Sequence, residues 1–159
     1  MIKRLLLNIL LFLIPNGSHG DRLRGRAYQI FMKKCGKNFK VGTNAFIYAP
    51  EKLTVGDNVY VGFNSYLGQG EINLSDEVLI GNFVSITASN HQKKDGSWRF
   101  GGFQQEPINI GRGVWLSANS CITAGISIGS GTVVGAGAVV TKSFGSDKVL
   151  IGIPAKEKI

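Results

Sequence analysis

A parallel β-helix is the fold class this sequence predicts: an all-β coil of six-residue repeats, with a short helical leader before it and one external loop within it. Three observations predict it. Aliphatic residues recur six apart, as Val41 and Ile47, then Val55, Val61 and Leu67, then Leu74, Ile80 and Ile86, then Ile110, Leu116, Ile122, Ile128, Val134 and Val140. Four residues after a beat, small or β-branched residues predominate, as at Val59, Ser65, Val78, Val84, Val114, Ser120, Ile126, Thr132 and Ala138. Glycine is abundant at 22 residues while proline stands at only 4, a balance that suits turns rather than disorder.

Six is neither a helical nor a simple strand period, and hexapeptide repeats indicate that each repeat supplies one short strand and one turn. Three repeats close a triangular coil. Ile110 should then lie beneath Ile128, Leu116 beneath Val134 and Ile122 beneath Val140, at the roughly 4.8 Å spacing of neighbouring strands. Glycines such as Gly56, Gly81, Gly111, Gly129 and Gly135 would permit the tight corners, and the longer steps from Ile47 to Val55 and from Leu67 to Leu74 imply small bulges.

The leader, residues 1–35, comes first. Its opening "MIKRLLLNILLFLIP" holds an apolar run from Leu5 to Ile14. Spanning a bilayer takes about 20 apolar residues, so this run does not cross one. The basic start resembles a signal peptide, but "NGSHG" is a weak cleavage site. A second segment, Arg22 to Cys35, places Leu23, Ala27, Ile30 and Phe31 on one helical face with cations elsewhere. The net charge of +8 lies wholly within residues 1–40, where nine Lys/Arg face Asp21 alone. A nucleic-acid binder would carry such charge on its folded body with aromatics interleaved, so no nucleic-acid partner is expected. The leader reads either as two helices capping the coil or as a peripheral contact with an anionic membrane.

The coil domain, residues 36–159, follows, with a loop at about 87–109 and a tail at about 143–159. The gap from Ile86 to Ile110 is a multiple of six, but its beat positions are Gln92, Trp98 and Gln104. No apolar interior accepts two glutamines, so this segment must leave the coil and return at "PINIG". Long loops within compact domains are usually functional or disordered. The aromatic residues Trp98, Phe100 and Phe103 predict an ordered flap anchored by their rings.

The stretch "IGRGVWLSANSCITAGISIGSGTVVGAGAVVTK…GIPAK" resembles the hexapeptide-repeat acyltransferases, in particular the galactoside, maltose and polysaccharide O-acetyltransferases. The resemblance covers residues 36–156. It implies a left-handed coil, against the usual right-handed crossover preference, a homotrimer, and acetyl-CoA lying in clefts between adjacent subunits. It also implies that His91, at the mouth of the loop, is the catalytic base. The chemistry agrees: a sugar hydroxyl attacks a thioester efficiently only if its proton is removed in the transition state, and histidine suits that task near neutral pH. Backbone N–H groups would meet the developing oxyanion.

By position in that family, the donor would run along small residues Ala118 and Ala136, beside Trp115. Thr141, Lys142 and Lys156 would meet it from "VVTK" and the G-x-P-A-K ending, the lysines as point charges for its phosphates. Phe103 would face the acceptor. The family's asparagine opposite the histidine is replaced here by Gly62, so Asn64 and Glu71 stand as substitute acceptor contacts. Ser117, commonly glycine, would narrow the donor cleft. His19 reads as a leader-loop residue without chemistry, and no metal site is expected: a zinc carbonic anhydrase on this coil needs three histidines, and the sequence has 2. Cys35 and Cys121 are too few for a disulfide framework and fit a reducing compartment. Nothing near Cys121 in sequence activates it as an acyl carrier.

The function expected is O-acetyl transfer to a sugar, in a capsule, lipopolysaccharide or other envelope glycan. The alternatives are a small cytosolic acceptor (a free sugar, serine, a nucleotide-sugar amine or an antibiotic) and a non-catalytic scaffold. A cytosolic donor implies a cytoplasmic protein, peripheral at the inner membrane face if the leader binds lipid.

Overall fold

The structure, a computed structural model, describes residues 2–158; the side chains of residues 1–4, Lys3 and Arg4 among them, lie outside the described part. Beyond two N-terminal helices, the chain winds as a parallel β-solenoid of about six turns. Its short strands stack on three faces. The first face holds Lys34–Cys35, Leu53–Val55, Ile72–Leu74, Ile108–Ile110 and Ser127–Ile128. The second holds Lys40–Val41, Tyr60–Val61, Leu79–Ile80, Trp115–Leu116, Val133–Val134 and Val149–Ile151. The third holds Phe46–Ile47, Tyr66–Leu67, Ser85–Ile86, Cys121–Ile122 and Val139–Val140. The expected registers are present, with Ile110 paired to Ile128, Leu116 to Val134 and Ile122 to Val140.

The beat follows from geometry. Successive strand side chains point to opposite faces, so a two-residue strand offers one side chain to the interior and one to the exterior. Every beat residue from Val41 to Val140 is buried, and so is every residue named four positions after a beat. Each fully buried Val, Leu or Ile contributes about 1.5–3 kcal/mol, which makes the periodic interior the main stabilising term.

The exterior differs by face. On the first, Asn73 donates to Asn109 Oδ1 at 3.0 Å and Asn109 donates to Ser127 Oγ at 3.3 Å, a polar ladder. On the second, Leu79, Trp115 and Val149 are exposed, and on the third Phe46 and Tyr66 stack at 6.2 Å.

The corner glycines serve close approach. A Cβ on Gly111 would lie 2.6 Å from Ser130 N in the next turn. Left-handed backbone falls instead two residues later, on Asn58 (φ 60), Gly113 (φ 66) and Asn119 (φ 60). Asparagine shares these positions with glycine because its short polar side chain tolerates that region.

The helices are α1, Ile2–Leu13, and α2, Ser18–Gln29. The inner side of α1 seats Leu7, with Leu11 and Ile14 partly buried against the core. The expected packing face of α2 holds in part: Ala27 is buried and Phe31, just past the helix, packs partly buried against the core, whereas Leu23 and Ile30 are exposed, the helix stops at Gln29, and Gly20, Arg24, Gly25 and Tyr28 share the buried side. Glycine decides this, because a Cβ on Gly25 would lie 2.8 Å from the Phe39 carbonyl carbon of the first coil. The glycine-bearing side therefore approaches closest.

Candidate active site

The site is built on the corners where the coil turns between faces. At the corner between the third and first faces, the chain departs after Ile86 and returns at Ile108. Between them, Ser89–His91 pairs antiparallel with Phe103–Gln105. Gln92 and Gln104 are exposed, as two glutamines barred from the interior must be. His91 lies directly opposite Phe103, so their side chains share one side of the hairpin. Both are exposed. The hairpin is held by its ladder and by the Gln92 N–H donating to Gly102 O at 3.1 Å. Ring anchoring is not what orders it: Trp98, Phe100 and Phe103 are all exposed, at 60%, 76% and 52%.

Thr141 and Lys142 follow the strand Val139–Val140 at the same corner. They stand two turns above the hairpin, a separation of about 10 Å at the strand spacing. The Lys142 ammonium rests 5.3 Å from the Phe144 ring centroid. Beneath the hairpin, Glu71 accepts from Asn73 Nδ2 at 3.2 Å and lies 3.6 Å from Lys33 Nζ. The Asn73 hydrogen bond first, and the Lys33 charge second, lower its carboxyl from the ordinary range. A cavity of about 400 Å³ opens there, lined by Lys33, Glu51, Lys52, Glu71, Gln105 and Pro107. The sequence reading found only Glu71 in it. The signal was available in the column Lys52, Glu71 and Pro107, each preceding a first-face strand in register, Leu53 with Ile72 with Ile108.

The corner between the second and third faces carries the other group. Ala118 lies beneath Ala136, with Gly137 N donating to Ala118 O at 3.0 Å. Lower turns place Phe63 and Phe83 at this corner, with rings crossing edge to face at 5.5 Å, and above them the turns of Ala118 and Ala136 carry no ring there. Trp115 faces outward on the second face between Leu79 and Val133, half exposed. Lys156, in the strand Lys156–Glu157, closes the outer edge of that face, pairing with Ile151. Among the described residues neither Lys142 nor Lys156 has a carboxylate partner. Asn64 belongs to the same corner, in left-handed backbone (φ 55), its N–H donating to Thr43 O at 3.1 Å. Ser117 is corrected: it is buried in the column of Gly62, Gly81 and Gly135 and does not narrow the outer wall.

The expected residues thus fall into two groups on two corners of one chain. His91, Phe103, Glu71, Thr141 and Lys142 share one corner; Trp115, Ala118, Ala136, Asn64 and Lys156 lie on or beside the other. Burial pushes the Cys121 thiol up, a hydrogen bond with Ser85 opposing, so it is no activated acyl carrier. Among the described residues, no group of three His, Cys, Asp or Glu is placed to hold a metal ion.

The family described as "Bacterial transferase hexapeptide (six repeats)" matches residues 107–142, and "Hexapeptide repeat of succinyl-transferase" matches residues 52–88. The chain is 33% identical over 135 residues to the putative colanic acid biosynthesis acetyltransferase WcaF of Escherichia coli (strain K12), covering 84% of this chain and 72% of that protein. It is 30% identical over 123 residues to galactoside O-acetyltransferase of the same strain, covering 73% of this chain but 61% of that relative's length. A solved galactoside acetyltransferase in complex with coenzyme A matches 99% of this chain and 80% of its own, with TM-score 0.85 and 27% identity. A maltose O-acetyltransferase from Clostridium difficile 630 matches 99% and 85%, with TM-score 0.85 and 26% identity. The coil is the left-handed β-helix of these structures. Repeat, hairpin and these likenesses agree: the chain belongs to the hexapeptide-repeat acetyltransferase family.

Proposed function

We propose that this chain transfers an acetyl group from acetyl-CoA to a sugar hydroxyl, and that it does so between two copies of itself. The observation that carries the reading is His91, exposed at the mouth of the one excursion from the coil and opposite Phe103. In the reaction His91 accepts the proton of the attacking hydroxyl as its oxygen bonds to the acetyl carbon. The carbon–sulfur bond then breaks and the proton passes to the departing thiolate, leaving an O-acetyl ester and a thiol. Acetyl-CoA supplies the activated thioester. Ala118 and Ala136 offer it a bare wall, Trp115 an aromatic edge, and Lys142 and Lys156 unpaired charges for its phosphates. Thr141 would contact it beside Lys142.

The split of these residues between two corners supports a homotrimer, in which one subunit's hairpin meets its neighbour's alanine wall. The apolar second and third faces, against a polar first face, are the surfaces suited to such packing. We assign the acceptor to an envelope glycan made in the cytoplasm, on the likeness to the colanic acid biosynthesis protein. The likeness to galactoside O-acetyltransferase favours a small free sugar as the second reading. Transfer of labelled acetyl from acetyl-CoA to glycan fragments and to free galactosides separates the two. His91→Ala should lower turnover by roughly 10²–10⁴ while folded mass and acetyl-CoA binding persist. Near wild-type turnover would remove His91 from the mechanism, and no transfer to any acceptor would favour a scaffold.

A further inference from the structure

The N-terminal end of the solenoid carries a surface that the acetyl-transfer reading does not use. Helix α1 is apolar on two opposite sides. Leu7 is fully seated inward, whereas Leu6, Leu13 and Phe12 are 57%, 71% and 88% exposed, with Leu5, Ile9 and Leu10 exposed beside them. A helix that is apolar on opposite sides is normally covered on both, and among the described residues nothing covers the outer half. At about 1.5 Å per residue, 12 residues reach about 18 Å, and no described helix is long and apolar enough to cross a membrane. The outer half of α1 fits a surface along which the helix lies.

Charge identifies that surface. Beside α1, α2 carries Arg22 and Arg26 one turn apart, and they line a cavity of about 510 Å³ with Gln29, Lys37 and Asn38. Among the described residues neither guanidinium has an ion-pair partner. Of the acidic groups nearby, Asp21 pairs with the buried Arg24, and Asp57, which also lines the cavity, accepts the Lys37 backbone N–H at 2.7 Å and keeps its charge, so Arg22, Arg26 and Lys37 outnumber it three to one. A second copy laid end to end would set these cations against their own kind. An anionic bilayer instead presents acyl chains to the leucines and phosphates to the arginines. We infer that this end of the protein docks on an anionic phospholipid surface, with α1 lying in the interface through Leu6, Ile9 and Leu13 and the Arg22–Arg26–Lys37 cavity holding a lipid phosphate. Capping and docking are then two sides of one helix.

The test is sedimentation of the full chain with phosphatidylcholine vesicles, with and without phosphatidylglycerol, at low and high salt. Binding should require phosphatidylglycerol and weaken as salt screens the charges. Arg22→Gln with Arg26→Gln should weaken binding about thirtyfold, the loss of two basic contacts with the lipid surface. Leu6→Gln with Leu13→Gln, on side chains that already face solvent, should abolish binding without altering oligomeric mass or acetyl transfer. Equal binding to neutral vesicles, or no binding to anionic ones, would overturn the inference. A changed oligomeric mass in the leucine variant would overturn it in favour of a second copy, and inorganic phosphate retained in the cavity without vesicle binding would reduce it to a soluble anion site.

Discussion

At the scale of the residue, Arg24 shows how far the end of the coil depends on one side chain. It is 4% exposed and donates from Nε to Val41 O at 2.9 Å, from Nη1 to Pro15 O at 3.1 Å and from Nη2 to Thr43 Oγ1 at 3.1 Å, besides pairing with Asp21. It therefore ties α2 to the preceding turn and to the first coil. Removing one member of a buried pair strands the other, at a cost of about 3–5 kcal/mol. Arg24→Met should lower the unfolding free energy, read from denaturant titration, by an amount near the lower figure, because Asp21 keeps some solvent; an unchanged unfolding free energy would show that the pair stabilises nothing. Helical periodicity could not find this residue, because that pattern sorts arginine with the solvent face. Its acceptors Val41 and Thr43 come from the coil, 17 and 19 residues away. His91 was singled out for the opposite reason: it stands where the aliphatic beat fails, and the structure places it exposed in the hairpin, marked by position rather than contact.

At the scale of the element, the coil was readable and the hairpin only half so. Strands show in the sequence because a triangular interior accepts little but aliphatic and small side chains, so Ile110, Leu116 and Ile122 announce their own stacking. The departure of residues 87–107 was equally plain from Gln92 and Gln104. What orders the hairpin was not, because backbone pairing leaves no compositional trace, and the three rings that suggested anchoring face outward. Those rings are available to a neighbouring subunit or to an acceptor. Replacing residues 92–102 by a two-residue turn should leave the thermal transition of the coil almost unchanged, since the hairpin buries no beat residue, and should abolish acetyl transfer. Transfer at wild-type rate by this variant, measured with labelled acetyl-CoA, would show that the hairpin's tip plays no part in the site.

At the scale of the whole molecule, the arrangement of corners is what the proposed intersubunit site rests on. The hairpin corner carries His91 and Phe103, the proposed base and acceptor contact, the other corner carries Ala118 and Ala136, the proposed donor wall, and a face of the prism separates them. Threefold packing of this prism brings unlike corners together, because each subunit presents a different corner to each neighbour. This part of the site was not legible from residue spacing, which orders residues along one chain and is silent on which chain they meet. The central claim is tested most directly by mixing two inactive parents, His91→Ala and Ala136→Trp, under conditions where subunits exchange. Half the subunits then bring an intact hairpin and half of their neighbours an intact wall, so about a quarter of the sites should be whole and about a quarter of the wild-type rate restored. If mass measurement confirms mixed trimers and the rate stays at the level of the parents, each site lies within one chain and the account is wrong.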